Sequence, residues 1–426
     1  MATRCRGCCR RGSAPPRGRS RGCCRRRSRT RAAVRACAAR RGPRSRGSRR
    51  GASSPPRRRS QDSRRARARG RRPAACGARA ASRRAPRRTP PRVSRARARA
   101  ERRTGGAAWA GGRLPCAAVT SRDHPDFPVH RRAVRDGLAI GYWRAGEGGH
   151  PLLLVHGFPE TKRIWARNVA PLAAAGFDVI VPDLRGVGDS DPAPDGFYDP
   201  PAYARDLRAL CAALGIERCG AAAGDVGAMV VAELGLRFPG FLERQCLFNT
   251  LAPPLAAAFA DAGIPEDPPP HERPEMDYFV RQGSDADGLL AELDSPARRR
   301  AYVGAMYAER GWASAGSFTR EDVAYHSEPF GSAAALRAAI AVYEVGYGKR
   351  ALSEPPVLAQ INRVPTLILY GPEDEVVTRH FPARMAIAFP NHAGPFEIAG
   401  AGHFISWEQP DALHDHLRAF FRAQLG

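Results

Sequence analysis

One aspartate of this 426-residue chain stands where a tight strand-to-helix turn would expose it. Ala223-Gly224-Asp225-Val226-Gly227 joins a run of small residues, predicted as a strand over 219–223, to a helix predicted over 226–238. A strand–turn–helix of this kind presents a nucleophile, with small residues on both sides of a strained turn. The usual nucleophile of the motif is serine; here it is Asp, and Ala fills the first small position. A carboxylate needs no base to activate it, and it displaces at an sp³ carbon to give an alkyl ester. A water activated by histidine would then hydrolyse that ester. The plainer reading, an aspartate capping a helix, leaves the flanking small residues without a purpose.

Such a turn needs a sheet to project from, and the hydrophobic pattern supplies one. Residues 138–143 alternate like a half-buried strand, while 151–155 and 177–181 are continuous apolar runs, as central strands covered on both faces should be. Residues 245–248 and 366–370 read as further strands. Helical spacing over 164–175, 202–214 and 410–425 fills the intervals. The alternation predicts an α/β fold with a mostly parallel, doubly wound sheet. Between 251 and 363 the pattern changes: prolines 265, 268, 269 and 270 come first, then helical stretches such as 286–293 and 333–347. This stretch is expected to be a helical cap inserted into the core, whose two parts are then 119–250 and 364–426.

Charge divides the chain a second way. The formal net charge is +28, from 69 basic and 41 acidic residues. Residues 1–118 hold 40 Arg, no Lys and only Asp62 and Glu101 as acids, so 40 − 2 = +38. The remainder holds 69 − 40 = 29 basic and 41 − 2 = 39 acidic residues, a balance of −10. With hardly an aliphatic residue larger than Ala, 1–118 is expected to be disordered. An arm for nucleic acid and an Arg-rich transit peptide would share its composition. The expectation adopted is an upstream translation product of a GC-rich gene, with Val119 as a GTG start. Eight of the eleven cysteines lie there, in spacings unsuited to a zinc finger, and Cys211, Cys219 and Cys246 read as reduced core residues. His414 and His416, two apart on a helix, point to different faces. No metal and no cofactor are expected, and no apolar run reaches the length of a membrane span.

At this point the chain resembles the epoxide-hydrolase and dehalogenase branch of the α/β-hydrolases, over nearly all of residues 125–426. His156-Gly157-Phe158-Pro159-Glu160 follows an apolar strand as that family's HGxP loop does. The resemblance implies that the backbone N–H groups of Phe158 and Val226 form the oxyanion hole, with His156, Gly157 and Pro159 structural. It also implies Asp374, in Gly371-Pro372-Glu373-Asp374, as the acid that orients the base, and His403, in Gly400-Ala401-Gly402-His403-Phe404, as that base. Some dehalogenases carry the acid after the preceding strand, a place held here by Asn249.

Epoxide opening further needs an acid for the departing alkoxide, and a phenol can donate without bringing a charge. Epoxide hydrolases use two cap tyrosines. By resemblance these are Tyr343, in Leu336-Arg337-Ala338-Ala339-Ile340-Ala341-Val342-Tyr343-Glu344, and Tyr278, with Tyr302 and Tyr307 as alternatives. Dehalogenases place Trp after the nucleophile, or Arg there and three residues on; this chain has Val226 and Met229. The expectation is therefore a cytoplasmic hydrolase that opens apolar epoxides with water and has no nucleic-acid or membrane partner. Dehalogenation is the alternative on the same fold, and nucleic-acid binding through residues 1–118 the alternative of another class. Monomer and homodimer both stay open.

Overall fold

The computed structural model describes residues 127–425. The Arg-rich stretch, and the expectations placed on it, lie outside the described residues. Strands β1 (His130–Arg135), β2 (Leu138–Ala145), β3 (His150–Val155) and β4 (Phe177–Pro182) come first, with α1 (Ala166–Ala174) between β3 and β4. Then follow α2 (Pro200–Ala213), β5 (Cys219–Gly224), α3 (Asp225–Arg237) and β6 (Leu242–Phe248). Six helices come next: α4 (Ala256–Asp261), α5 (Asp277–Ser284), α6 (Ala286–Glu292), α7 (Pro296–Ala308), α8 (Arg320–Ser327) and α9 (Ala333–Gly346). The sheet resumes with β7 (Thr366–Tyr370), α10 (Phe381–Ala388) and β8 (His392–Glu397), and α11 (Ile405–Glu408) and α12 (Pro410–Phe420) close the chain.

The eight strands form one sheet in the order β1-β2-β4-β3-β5-β6-β7-β8. β1, β2 and β4 pair antiparallel, and every pairing from β4 to β8 is parallel. Every residue of β4 and β5 is buried, and so are Leu152 to Val155 of β3, because helices cover both faces of these central strands. From β3 the chain runs outward to β4 and then back across to β5. That reversal opens a crevice at the carboxyl ends of β3 and β5, where ligands of such sheets bind.

Two strands had no counterpart in the sequence reading, β1 and β8. Both lie at sheet edges, and their sequences, HRRAVR and HAGPFE, carry no apolar run for a core to demand. β6 also starts three residues before the predicted 245, through Leu242, Glu243 and Arg244. Helix α2 begins two residues before the predicted 202, because Asp199 accepts from the Ala202 N–H at 2.8 Å and prolines fill the first turn.

Buried ions fix the loop after β4. Arg185 grips Asp206 of α2 through two nitrogens, at 2.5 and 2.7 Å, and Lys162 Nζ lies 2.5 Å from Asp183. Cys211, Cys219 and Cys246 are free and buried. Among the described residues no helix is long and apolar enough to cross a membrane.

Candidate active site

Asp225 is the first residue of α3 and has φ +48°. This left-handed conformation is one that Asp tolerates better than most residues, and it turns the side chain out of the strand-to-helix path. The backbone there is tied at both ends: Asp225 N–H donates to Asn249 O at 3.1 Å, and Thr250 Oγ1 donates to Asp225 O at 2.7 Å. The Phe158 N–H donates to Asp225 Oδ1 at 2.8 Å. A Cβ at Gly157 would sit 2.6 Å from both Cβ and Oδ1 of Asp225, so only glycine leaves room for the carboxylate. A Cβ at Gly227 would come within 2.6 Å of His156 O, so glycine also lets α3 approach the end of β3. Val226 lies in the first turn of α3, where backbone N–H groups have no acceptor within the helix.

His156 holds the loop that carries Phe158. Its Nε2 accepts from the Leu184 N–H at 2.9 Å, which assigns the proton to Nδ1, 2.9 Å from Gly157 O. Burial lowers its pKa, as suits a neutral imidazole in this setting. Glu160, from the same loop, accepts the Gly157 N–H at 2.5 Å, and burial raises its carboxyl to about 7.

Asp374, in the loop after β7, lies 2.8 Å from His403 Nδ1 through Oδ2 and accepts the Val376 N–H at 2.6 Å through Oδ1. His403 Nε2 is 3.5 Å from Asp225 Oδ2. The three side chains predicted from separate loops are thus brought into one line. Burial alone would push the His403 imidazole down. Asp374 and Asp225 outweigh it and hold the ring well above its ordinary range.

Asn249, considered in the sequence only as an absent acid, joins all three loops. Its Nδ2 donates to Gly402 O at 2.7 Å and His403 O at 2.9 Å, and its Oδ1 accepts the Gly371 N–H at 3.0 Å. Its own carbonyl takes the Asp225 N–H. Asn249 follows β6 directly at φ +41°, which Asn tolerates better than most residues, but that angle is not legible in the sequence.

Tyr343 of α9 and Tyr278 of α5 are buried with ring centroids 6.0 Å apart. The Tyr343 ring packs on Phe158 at 5.2 Å, and the Tyr278 ring on Trp312 at 4.5 Å, which in turn is 5.9 Å from the His403 ring. Burial, then the charge of Asp225, raises both phenols well above their ordinary pKa. The two alternatives are engaged elsewhere. Tyr307 donates its hydroxyl to Pro159 O at 2.6 Å, and Tyr302 accepts from Gln282 at 2.9 Å. A cavity between the His156–Glu160 loop and α9 is lined by Phe158, Glu160, Arg185, Tyr203, Val226 and Val342, with none of Asp225, Tyr278 and Tyr343 in its wall.

Comparison with known proteins identifies the family of this fold. A family described as alpha/beta hydrolase fold matches residues 150–410, well over half of the chain. The chain belongs to that family. Soluble epoxide hydrolase of Corynebacterium sp. (strain C12) is 37% identical over 123 residues, 29% of this chain and 42% of that relative's length. Epoxide hydrolase A of Mycobacterium tuberculosis is 26% identical over 334 residues, covering 69% of this chain and 97% of the other. Among solved structures, epoxide hydrolase CorEH without ligand superposes with TM-score 0.60 at 22% identity. It covers 70% of this chain and 99% of that one, a likeness that speaks for the shared fold.

Proposed function

We propose that this hydrolase opens epoxides to vicinal diols through an ester on Asp225. Asp225 Oδ2 attacks a ring carbon, the C–O bond breaks, and the departing oxygen takes a proton from Tyr343 or Tyr278. The ester carbonyl oxygen, Oδ1, stays at the Phe158 N–H, with the Val226 N–H as the second donor for the charge that hydrolysis builds there. His403 Nε2 then takes a proton from water, and the hydroxide attacks Asp225 Cγ. The Cγ–Oδ2 bond breaks, the diol oxygen takes the proton from His403, and the new carboxyl gives its remaining proton to the ring, so Asp225 is regenerated as a carboxylate carrying the water's oxygen.

Alkylation removes the Asp225 charge that helps hold the His403 proton, so the ring becomes a better base once the ester exists. The proton it releases can restore the tyrosine. The observation that carries the reading is the pair of buried phenols from the helical insert, ring centroids 6.0 Å apart, both raised in pKa by burial and then by the Asp225 charge. Neutral donors facing the nucleophile suit a leaving oxygen that stays on the substrate. The epoxide-hydrolase names of the two relatives point the same way.

One observation favours a second reading, halide displacement. The Trp312 indole N–H is buried without a partner, and its ring packs on Tyr278. Intact-mass spectrometry decides between them. His403→Ala incubated with an aryl epoxide should gain one epoxide mass, Asp225→Asn should gain none, and the unaltered protein should release diol. Halide release from haloalkanes, with neither adduct nor diol from any epoxide, would overturn the proposal.

A further inference from the structure

Glu408, the last residue of α11, lies outside the constellation just described, yet its carboxylate gathers donors from the loop just before it and from a distant segment of the insert. Oε2 accepts the Gly402 N–H at 2.8 Å and the Ser314 N–H at 2.7 Å, and Oε1 accepts the Phe404 N–H at 2.6 Å. Ser317 Oγ stands 3.5 Å from the same Oε2. Gly402 and Phe404 flank His403, whereas Ser314 and Ser317 belong to the link between α7 and α8 of the insert.

The same two segments meet a second time. The His403 N–H donates to Trp312 O at 2.6 Å, and a Cβ at Gly402 would come within 2.3 Å of that oxygen. The backbone of the base loop is thus held on both sides of its histidine by one carboxylate and one carbonyl of the insert. Every backbone group that meets the Glu408 carboxylate is a donor, which only an acceptor can satisfy.

We propose that Glu408 is a positioning residue which locks the His403 loop to the Trp312–Ser314 segment of the insert and so sets the stance of the base. It touches no reacting atom and acts through the backbone on both sides of His403. The inference rests on the reading of His403 as the base of ester hydrolysis.

Glu408→Gln tests it, because the amide keeps the shape but must turn an NH₂ toward at least one N–H. Single-turnover kinetics with an epoxide, normalised to the alkylation burst, should show ester hydrolysis slowed at least tenfold. Alkylation per burst site should stay within about threefold, since Asp225 and the tyrosines are held by other groups. A variant that merely folds poorly would lose burst amplitude while keeping the wild-type hydrolysis rate constant. Proton NMR reads the stance without substrate: the His403 Nδ1–H resonance should broaden or shift in Glu408→Gln and recover in part in Glu408→Asp. An unchanged resonance with unchanged hydrolysis, or an equal loss in both chemical steps, would overturn the proposal. Should the unaltered protein turn over no epoxide, the proposed function falls, and the resonance alone decides the positioning role.

Discussion

His403 has its two ring nitrogens turned toward two carboxylates, Asp374 at 2.8 Å and Asp225 at 3.5 Å, and both favour the imidazolium. Removing one charge while keeping its shape should therefore lower the ring's pKa. In Asp225→Asn, the His403 ring signals should titrate at a lower pH than in the unaltered protein, and an equal or higher midpoint would contradict the assignment. Stability follows with a fixed sign. A histidine raised in the folded state stabilises fully below its unfolded pKa of about 6.5, and that stabilisation fades as pH rises through the folded value. The variant should lose part of it at acidic and neutral pH. Asn249 gives a second expectation. Asn249→Asp replaces an amide donor with a carboxylate facing two carbonyls, Gly402 O and His403 O. Unfolding in urea should show a loss of about 3 kcal/mol, as expected when a buried polar group loses its partners. An unchanged midpoint would remove Asn249 from its place as the link among the loops. Asp225 could be picked out in the sequence because it sits in a short turn between small residues, whereas His403 and Asp374 came from the resemblance of their loops to those of a known family. Asn249 and Glu408 were legible in neither way. Their partners are backbone groups as far as 154 residues away, and a backbone group leaves no mark on the residue type that meets it.

The elements that were legible are those whose residues face a core. The apolar runs of β3, β4 and β7 and the helical spacing of α9 mark themselves. The edge strands do not, since one side of each faces solvent; Phe396 of β8 is 42% exposed. Helix positions also separate the tyrosines of the insert. α9 and α5 set Tyr343 and Tyr278 beside each other, while α7 aims Tyr307 at the Pro159 carbonyl. Replacing Tyr343 or Tyr278 by Phe should slow alkylation roughly ten- to a hundredfold, and the double variant should lose considerably more. Ester hydrolysis should change little in all three. Tyr307→Phe should behave in the opposite way: about 1 kcal/mol lower stability from the lost hydrogen bond, with alkylation unchanged. Stopped-flow single turnovers beside thermal melts separate the two patterns. Equal effects on alkylation from Tyr307 and Tyr343 would show that packing, not proton donation, explains the buried phenols.

At the scale of the whole described chain, the helical insert and the sheet share polar ties at several points. Tyr307 bonds to Pro159, Arg163 Nη1 donates to Tyr325 O at 2.7 Å, and Ser314 donates to Glu408. Calorimetry should therefore show insert and sheet melting in one transition, with tryptophan fluorescence and far-ultraviolet circular dichroism giving coincident curves. A separate early transition, reported by the insert's Trp312, would mean that the ties are too weak to couple them. The mean charge of the chain said little at this scale, because the +38 of residues 1–118 masks the −10 of all that follows. The carbonyl of Trp312, which receives the His403 N–H, also bears on how such enzymes diversify. A helical insert is an attractive part to exchange when a new substrate range is sought, since it lines the pocket and leaves the sheet untouched. Here the exchangeable part also carries an acceptor for the His403 loop. A graft from another hydrolase would have to reproduce that one backbone oxygen in place, or be joined on either side of residues 312–314, with those three left native.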